Sequence, residues 1–133
     1  MKIQLTSHEI QILKQIVEVQ HEISNDTVVD DLYIRNTVES SVSISKIGEI
    51  RSNIGNRIDI LMVLTKVLAI CNVYQQGVDI DLTNKEKGIL YNEIDLYIEM
   101  ETDMLSNIIN DFNELKKHVE FISDCMNVSK LFK

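Results

Sequence analysis

The feature that most constrains the fold is a stripe of apolar residues that recurs every three or four positions through residues 84–126. An α-helix has 3.6 residues per turn, so this spacing brings such side chains onto one helix face. The chain contains no proline to interrupt the pattern. The members of the stripe are Leu90, Ile94, Tyr97, Met104, Leu105, Ile108, Phe112, Leu115, Val119, Ile122 and Met126.

A single helix over this segment would be too long for a compact chain of this size. It would extend about 64 Å at 1.5 Å per residue, whereas the expected radius of gyration is only about 14 Å. Glu101 falls within the apolar stripe, where an unpaired carboxylate is costly, and Ser106 and Asn107 follow it. We therefore predict a break between Glu101 and Asn107 that divides the segment into two helices.

Two other helix starts are marked by the pattern Thr-x-x-Glu, at Thr6 to Glu9 and at Thr83 to Glu86. In this capping box the threonine hydroxyl accepts a hydrogen bond from the third residue of the helix, and the glutamate accepts one from the threonine amide. An Ile-x-Leu segment precedes each box, at residues 3–5 and 80–82. The likeness between the two regions leaves open either a duplicated unit or repeated use of one helix start, and the two segments predict a short two-stranded ribbon.

The first half of the chain predicts three helices. The first covers residues 6–23 and ends in the short polar residues 24–27, which favour a turn. A weaker helix, rich in β-branched residues, covers residues 28–39. A serine-rich break follows, with Ser45 as the candidate cap of a long helix over residues 46–76 that Gly77 closes.

That long helix is apolar almost all round from Ile60 onward, so we expect neighbouring elements to enclose it. With 133 residues, 44% of them hydrophobic, the chain fits one domain with a substantial core. The prediction is a single helical domain over residues 1–133. It is an all-α bundle of four to five helices, two of them long, with a short two-stranded ribbon.

Charge and hydropathy narrow the set of partners. The formal net charge is −8, so the basic surface that nucleic-acid binding and anionic membranes require is missing. The longest apolar run, residues 60–71, is shorter than the roughly 20 residues that span a bilayer, and the first residues do not read as a signal peptide. We expect a cytoplasmic protein that binds neither nucleic acid directly nor a membrane. The abundance of Ile, Asn and Lys suggests an A/T-rich genome, such as that of a phage or mobile element.

Signatures of enzymatic chemistry are weak. Glu18 and His21 have the Glu-x-x-His spacing of carboxylate-bridged metal sites, but the sequence holds no second such pair and both residues fall on the polar half of their helix. No phosphate-binding glycine motif or nucleophile elbow occurs. The prediction is a protein that is not an enzyme and has no catalytic residues, metal ligands or cofactor.

The remaining histidines and the two cysteines have structural interpretations. His8 lies beside Glu9, and His118 lies one turn from Glu114, so both predict surface ion pairs. Cys71 follows Ala69 and Ile70, and Cys125 lies near Phe121 and Ile122, so both predict small buried side chains rather than reactive thiols.

The most informative functional feature is a segment of one charge sign. Residues 88–115 contain no Lys, Arg or His but seven acidic residues. Several of these lie opposite the apolar stripe, where they form an exposed acidic face. The predicted partner-binding residues are Asp95, Glu99, Asp103, Asp111 and Glu114.

Three functional hypotheses follow. The first is a non-enzymatic regulator or inhibitor that docks another protein, with a basic surface, through the acidic face or through an apolar groove. The second is a DNA mimic that occupies the binding site of a nucleic-acid-binding protein. The third is a structural or assembly protein, because apolar helix faces in such excess are often completed by homo-oligomerisation.

Overall fold

Four α-helices and a two-stranded ribbon make up the described part of the chain. The computed structural model describes residues 2–38, 44–74 and 77–133, with side chains at 2–29, 53, 55–74 and 77–133. The prediction of an all-α bundle with a short ribbon is confirmed. In chain order the elements are β1 (Lys2–Leu5), α1 (Ser7–Val38), α2 (Ile44–Val73), β2 (Val78–Asp81), α3 (Asn84–Asp103), a 3₁₀ turn (Met104–Asn107) and α4 (Phe112–Lys130).

The two strands pair in antiparallel register, with Ile3 opposite Ile80 and Leu5 opposite Val78. Side chains alternate across a strand, so Ile3, Leu5 and Ile80 point to the same side and are buried in the core. The ribbon therefore fastens the start of α1 to the start of α3.

Both predicted capping boxes are present. The Glu9 amide donates to Thr6 Oγ1 at 3.2 Å and the Thr6 amide donates to Glu9 Oε1 at 2.9 Å. The corresponding two bonds between Thr83 and Glu86 are both 3.1 Å long. These local bonds satisfy amide groups that would otherwise have no partner in the first turn.

The predicted turn at residues 24–27 is wrong, because α1 runs without interruption to Val38. Thr27 Oγ1 donates to the carbonyl oxygen of Ile23 at 2.8 Å, so its hydroxyl is satisfied within the helix. Ser24 and Val28 are buried, and this packing outweighs their low helix propensity. A separate helix over residues 28–39 therefore does not form. Residues 39–43 of the serine-rich break lie outside the described residues, and Ser45 lies inside α2.

The end of α2 also differs from the prediction. The helix ends at Val73, and the described glycines all have negative φ, so Gly77 is not the left-handed residue that closes a helix. A Cβ atom at Gly77 would lie 3.1 Å from the carbonyl oxygen of Leu5. Gly77 instead allows β1 to approach the chain closely at the start of β2.

The two long helices α1 and α2 pack side by side in opposite directions. His21 of α1 lies 3.1 Å from Thr65 Oγ1 of α2, and Cys71, further along α2, lies near the earlier residue Lys14. Neighbours do not enclose α2 as predicted, because Met62 and Val73 are 67% and 72% exposed. One side of α2 packs against α1, and a shorter stretch of α2 contacts α3. Part of the apolar surface of α2 therefore stays exposed to solvent.

The predicted break after Glu101 is confirmed at the 3₁₀ turn. The Ile108 amide donates to the Leu105 carbonyl at 3.2 Å and the Asp111 amide donates to the Ile108 carbonyl at 3.0 Å. The chain reverses there, and α4 returns along α3. Tyr97 and Phe121 meet across this pair with ring centroids 6.3 Å apart in an edge-to-face arrangement.

Candidate protein-docking surface

The five predicted binding residues are all exposed. Asp95, Glu99 and Asp103 follow one another at intervals of four along α3, so they form a row on one helix face. Asp111 and Glu114 lie beyond the turn, at the start of α4. The break in the helix thus divides the predicted acidic face into a row of three and a pair.

Asp111 has a structural role as well. It is the N-cap of α4, and its Oδ1 accepts a hydrogen bond of 3.1 Å from the Glu114 amide. Carboxylates at a helix N-terminus are stabilised by the amide groups and by the helix dipole. Glu114, the second predicted binding residue of this pair, therefore lies in the first turn of α4, which the Asp111 cap stabilises.

Exposed apolar side chains lie beside the acidic row. Leu96, Met100 and Met104 directly follow the three acidic residues in sequence and are 50%, 40% and 50% exposed. One residue corresponds to a rotation of about 100° around the helix, so the apolar side chains form a second row beside the first. We call these six residues the α3 stripe: Asp95, Leu96, Glu99, Met100, Asp103 and Met104.

Sequence reasoning missed Leu96 and Met100. Both fall outside the apolar stripe that packs into the core through Leu90, Ile94 and Tyr97. The available signal was the position of two large apolar residues, four apart, on the flank of a helix whose buried face was already accounted for.

The turn between α3 and α4 presents two further apolar residues. Ile109 is 66% exposed and Phe112 is 75% exposed; we call this pair the hairpin tip. The sequence pattern placed Met104, Phe112, Val119 and Met126 on the core face, which is wrong because all four are exposed and the 3₁₀ turn interrupts the helical register of the stripe. The buried face of α4 begins only at Ile122 and continues through Cys125 and Val128.

The acidic residues of the α3 stripe differ in their neighbours. Asp95 shares a cleft of about 210 Å³ with Lys130 and Lys133 at the end of α4. Glu99 and Asp103 lie in the segment without Lys, Arg or His.

Behind the stripe, Glu101 holds α3 and α4 together. Glu101 Oε2 lies 2.9 Å from His118 Nε2, and their side chains are only 15% and 21% exposed. The same nitrogen lies 3.0 Å from the Glu101 carbonyl oxygen.

Burial is the main cause that raises the pKa of Tyr97, and the charge of Glu101 is the next, so the phenol of Tyr97 stays protonated. The expected pairing of His118 with Glu114 is wrong.

The pairing expected for His8 is also different. His8 Nε2 lies 3.4 Å from Asp124 Oδ2 of α4, whereas Glu9 is occupied in the capping box with Thr6. The contact links the first turn of α1 to α4. Both side chains are well exposed, so the pair adds little stability.

The Glu-x-x-His pair of α1 is used in other contacts. Glu18 Oε1 lies 3.9 Å from Lys14 Nζ and its side chain is about half exposed, and His21 contacts Thr65. Within residues 2–38, 44–74 and 77–133, no group of three or more His, Cys, Asp or Glu side chains could hold a metal ion.

Both cysteines are free and buried, as predicted. Burial raises the pKa of the Cys71 thiol to about 11 and that of Cys125 to about 12. Reactive cysteines need a thiolate and access to solvent. These two side chains therefore act as small apolar residues of the core.

No protein-family model, curated protein or solved structure matches the chain. In the part of the chain that the structure describes, each helix is too short or too polar to cross a membrane.

Proposed function

We propose that this protein is a non-enzymatic regulator or inhibitor that docks a basic, partly apolar surface of another protein onto the α3 stripe and the hairpin tip. The observation that carries the proposal is the pairing of an exposed acidic row with an exposed apolar row on one helix. Protein interfaces combine apolar anchors with a polar rim in this way.

The two rows have different tasks in such an interface. Burial of exposed apolar side chains supplies most of the affinity, and large anchors near the centre contribute most. Phe112 is suited to act as such an anchor because it is among the most exposed apolar residues described. Met104, at the start of the 3₁₀ turn, is a second candidate anchor. The carboxylates speed encounter with a basic partner and select against acidic ones.

The same geometry disfavours a DNA mimic. Double-stranded DNA presents two continuous rows of phosphate charge, whereas the α3 stripe has a single row of three carboxylates, Asp95, Glu99 and Asp103. The apolar row beside them has no counterpart in a phosphate backbone, so a surface that combines basic and apolar groups fits better than a DNA-binding groove.

A fluorescently labelled helical peptide of leucine and lysine provides a defined probe, with a leucine and glutamate peptide as its acidic counterpart. Binding is measured by fluorescence anisotropy at two salt concentrations. We expect the basic peptide to bind, more weakly at high salt, and the acidic peptide not to bind.

Matched variants separate the stripe from the overall charge. The stripe variant carries Asp95→Lys, Glu99→Lys and Asp103→Lys. The control carries Glu22→Lys, Asp26→Lys and Asp79→Lys, three exposed positions elsewhere, and changes the net charge by the same amount. We expect the stripe variant to weaken binding about tenfold or more and the control to weaken it far less. Equal losses in the two variants would show generic charge attraction and contradict the proposal.

The apolar part of the surface is tested separately. Phe112→Ser should weaken peptide binding several-fold, whereas Val73→Ser, at a similarly exposed residue of α2, should not. A protein partner captured from cells supports the proposal only if the stripe variant loses it and the control retains it. Unchanged affinity of Phe112→Ser would remove the hairpin tip from the interface.

A further inference from the structure

A second unpartnered surface lies between α2 and the N-terminal part of α3. It is a groove of about 350 Å³, which we call the α2–α3 groove. Met62 and Ile89 form its apolar part, and four charged residues surround it: Asp59, Lys66, Lys85 and Glu86. Met62 is 67% exposed, and Ile58, one turn earlier on α2, is 42% exposed.

The charges around this groove have both signs and alternate between the two helices. Lys66 Nζ of α2 donates to Glu86 Oε2 of α3 at 2.8 Å. Lys85 Nζ of α3 donates to Asp59 Oδ2 of α2 at 3.4 Å. In a two-fold symmetric interface a patch meets its own copy in reversed orientation. A rim that carries both signs on both helices is therefore complementary to itself, whereas the acidic α3 stripe would repel its copy.

We propose that a second copy of this chain covers the α2–α3 groove in a two-fold symmetric dimer. Met62 of each copy enters the groove of the other and packs against Ile89. The Lys66–Glu86 and Lys85–Asp59 pairs form the polar rim and exchange partners across the symmetry axis.

Sedimentation velocity of the full chain between about 1 and 100 μM tests the proposal, because a micromolar dissociation constant gives a changing mixture of monomer and dimer across these concentrations. We expect the sedimentation coefficient to rise from that of a monomer to that of a dimer. Met62→Glu should raise the dissociation constant at least about tenfold, since it places a carboxylate in the apolar centre of the interface. Val73→Glu, an equal change at a similarly exposed residue of α2, should not raise it.

Oxidative cross-linking tests the contact between Met62 and Ile89 of the other copy. A mixture of Met62→Cys and Ile89→Cys chains should form a disulfide-linked dimer on treatment with copper phenanthroline, whereas a mixture of Val73→Cys and Ile89→Cys chains should not, and the two native cysteines are buried. Circular dichroism checks that each variant is folded. A wild-type chain that remains a monomer at 100 μM would overturn the proposal. A dimer that Met62→Glu and Val73→Glu weaken equally, or not at all, would overturn the assignment to this groove.

Discussion

Two carboxylates on the inner side of α3, Glu93 and Glu101, are enclosed in different ways. Glu93 is 6% exposed and its Oε2 accepts a hydrogen bond of 2.9 Å from Gln20 Nε2 of α1. Glu101 is closer to solvent and lies 2.9 Å from the imidazole of His118. The first carboxylate joins α3 to α1 through a neutral amide, and the second joins α3 to α4 through a group that can carry a proton.

The two carboxylates differ in which other hydrogen-bond partners they can reach if the present contact is lost. Among the described side chains, Gln20 Oε1 is buried without a hydrogen-bond partner, so the Gln20–Glu93 contact already leaves one polar atom unsatisfied. At the α3–α4 edge, water can approach Glu101 and His118 if their contact is lost. We infer that the deeper pair contributes less net stability, yet is the more costly of the two to break from one side.

The largest expected effect comes from Gln20→Leu. This change removes the donor to Glu93 and leaves a buried carboxylate without it, at a cost of about 3 kcal/mol in the free energy of unfolding. Urea denaturation followed by circular dichroism measures the cost. Gln15→Leu, at an exposed position of the same helix, should change stability by about 0.5 kcal/mol or less.

The double variant Gln20→Leu with Glu93→Leu tests whether the unsatisfied Glu93 carboxylate causes the loss of stability in Gln20→Leu. It removes both polar groups, so no carboxylate remains to be satisfied, and we expect it to recover most of the stability that Gln20→Leu loses. A double variant as unstable as the sum of the two single variants would contradict the interpretation of an isolated buried pair.

A smaller effect is expected for His118→Ala. Glu101 loses its partner but can gain water, so the cost should be about 1–2 kcal/mol in the same urea experiment. His8→Ala breaks the more exposed contact with Asp124 and should cost well under about 1 kcal/mol. If His118→Ala is more destabilising than Gln20→Leu, burial does not rank the two pairs.

The smallest effect concerns a third carboxylate of α3, Glu86. The hydrogen bond from Lys66 and that from the Thr83 amide hold the pKa of Glu86 below its ordinary value. Its contribution to stability is therefore fully present above the pKa of the unfolded chain and is lost as the pH falls through the lower, folded-state pKa.

Glu86→Gln should remove this part of the acid dependence and cost about 1 kcal/mol or less at neutral pH. Glutamine retains the capping box, so the comparison isolates the charge. Urea unfolding between pH 3 and pH 7, on the order of one unit per step, provides the measurement. An unchanged acid dependence would show that Glu86 does not contribute to it. Glu9→Gln, at the equivalent position of α1, serves as the matched control.

The parts of the fold that the sequence predicts are those set by local interactions. Thr6 and Thr83 begin helices because their capping boxes need only four consecutive residues. The break after Glu101 follows from the length limit of a compact chain. The error at residues 24–27 has the opposite origin, because the burial of Ser24 on the inner side of α1 is decided by neighbouring helices that no local pattern describes.

The candidate surface was predicted in part. Exposure of Asp95, Glu99 and Asp103 follows from the helical period of α3, and their role in binding stays a prediction. The neighbouring apolar row was not anticipated. Phe112 was assigned to the core because one helical register was carried through the turn, whereas the 3₁₀ segment shifts the phase of every residue after it.

The ribbon has a consequence for how the protein is made. β1 is synthesised before its partner β2, which follows only after α1 and α2. Until then the strand has no complement, and its apolar residues Ile3 and Leu5 remain uncovered while the nascent chain grows. Docking of α2 against α1 brings the two strands near each other and lowers the entropic cost of closing so long a loop. During translation β1 is thus made before α1 and α2 but reaches its final position only after both.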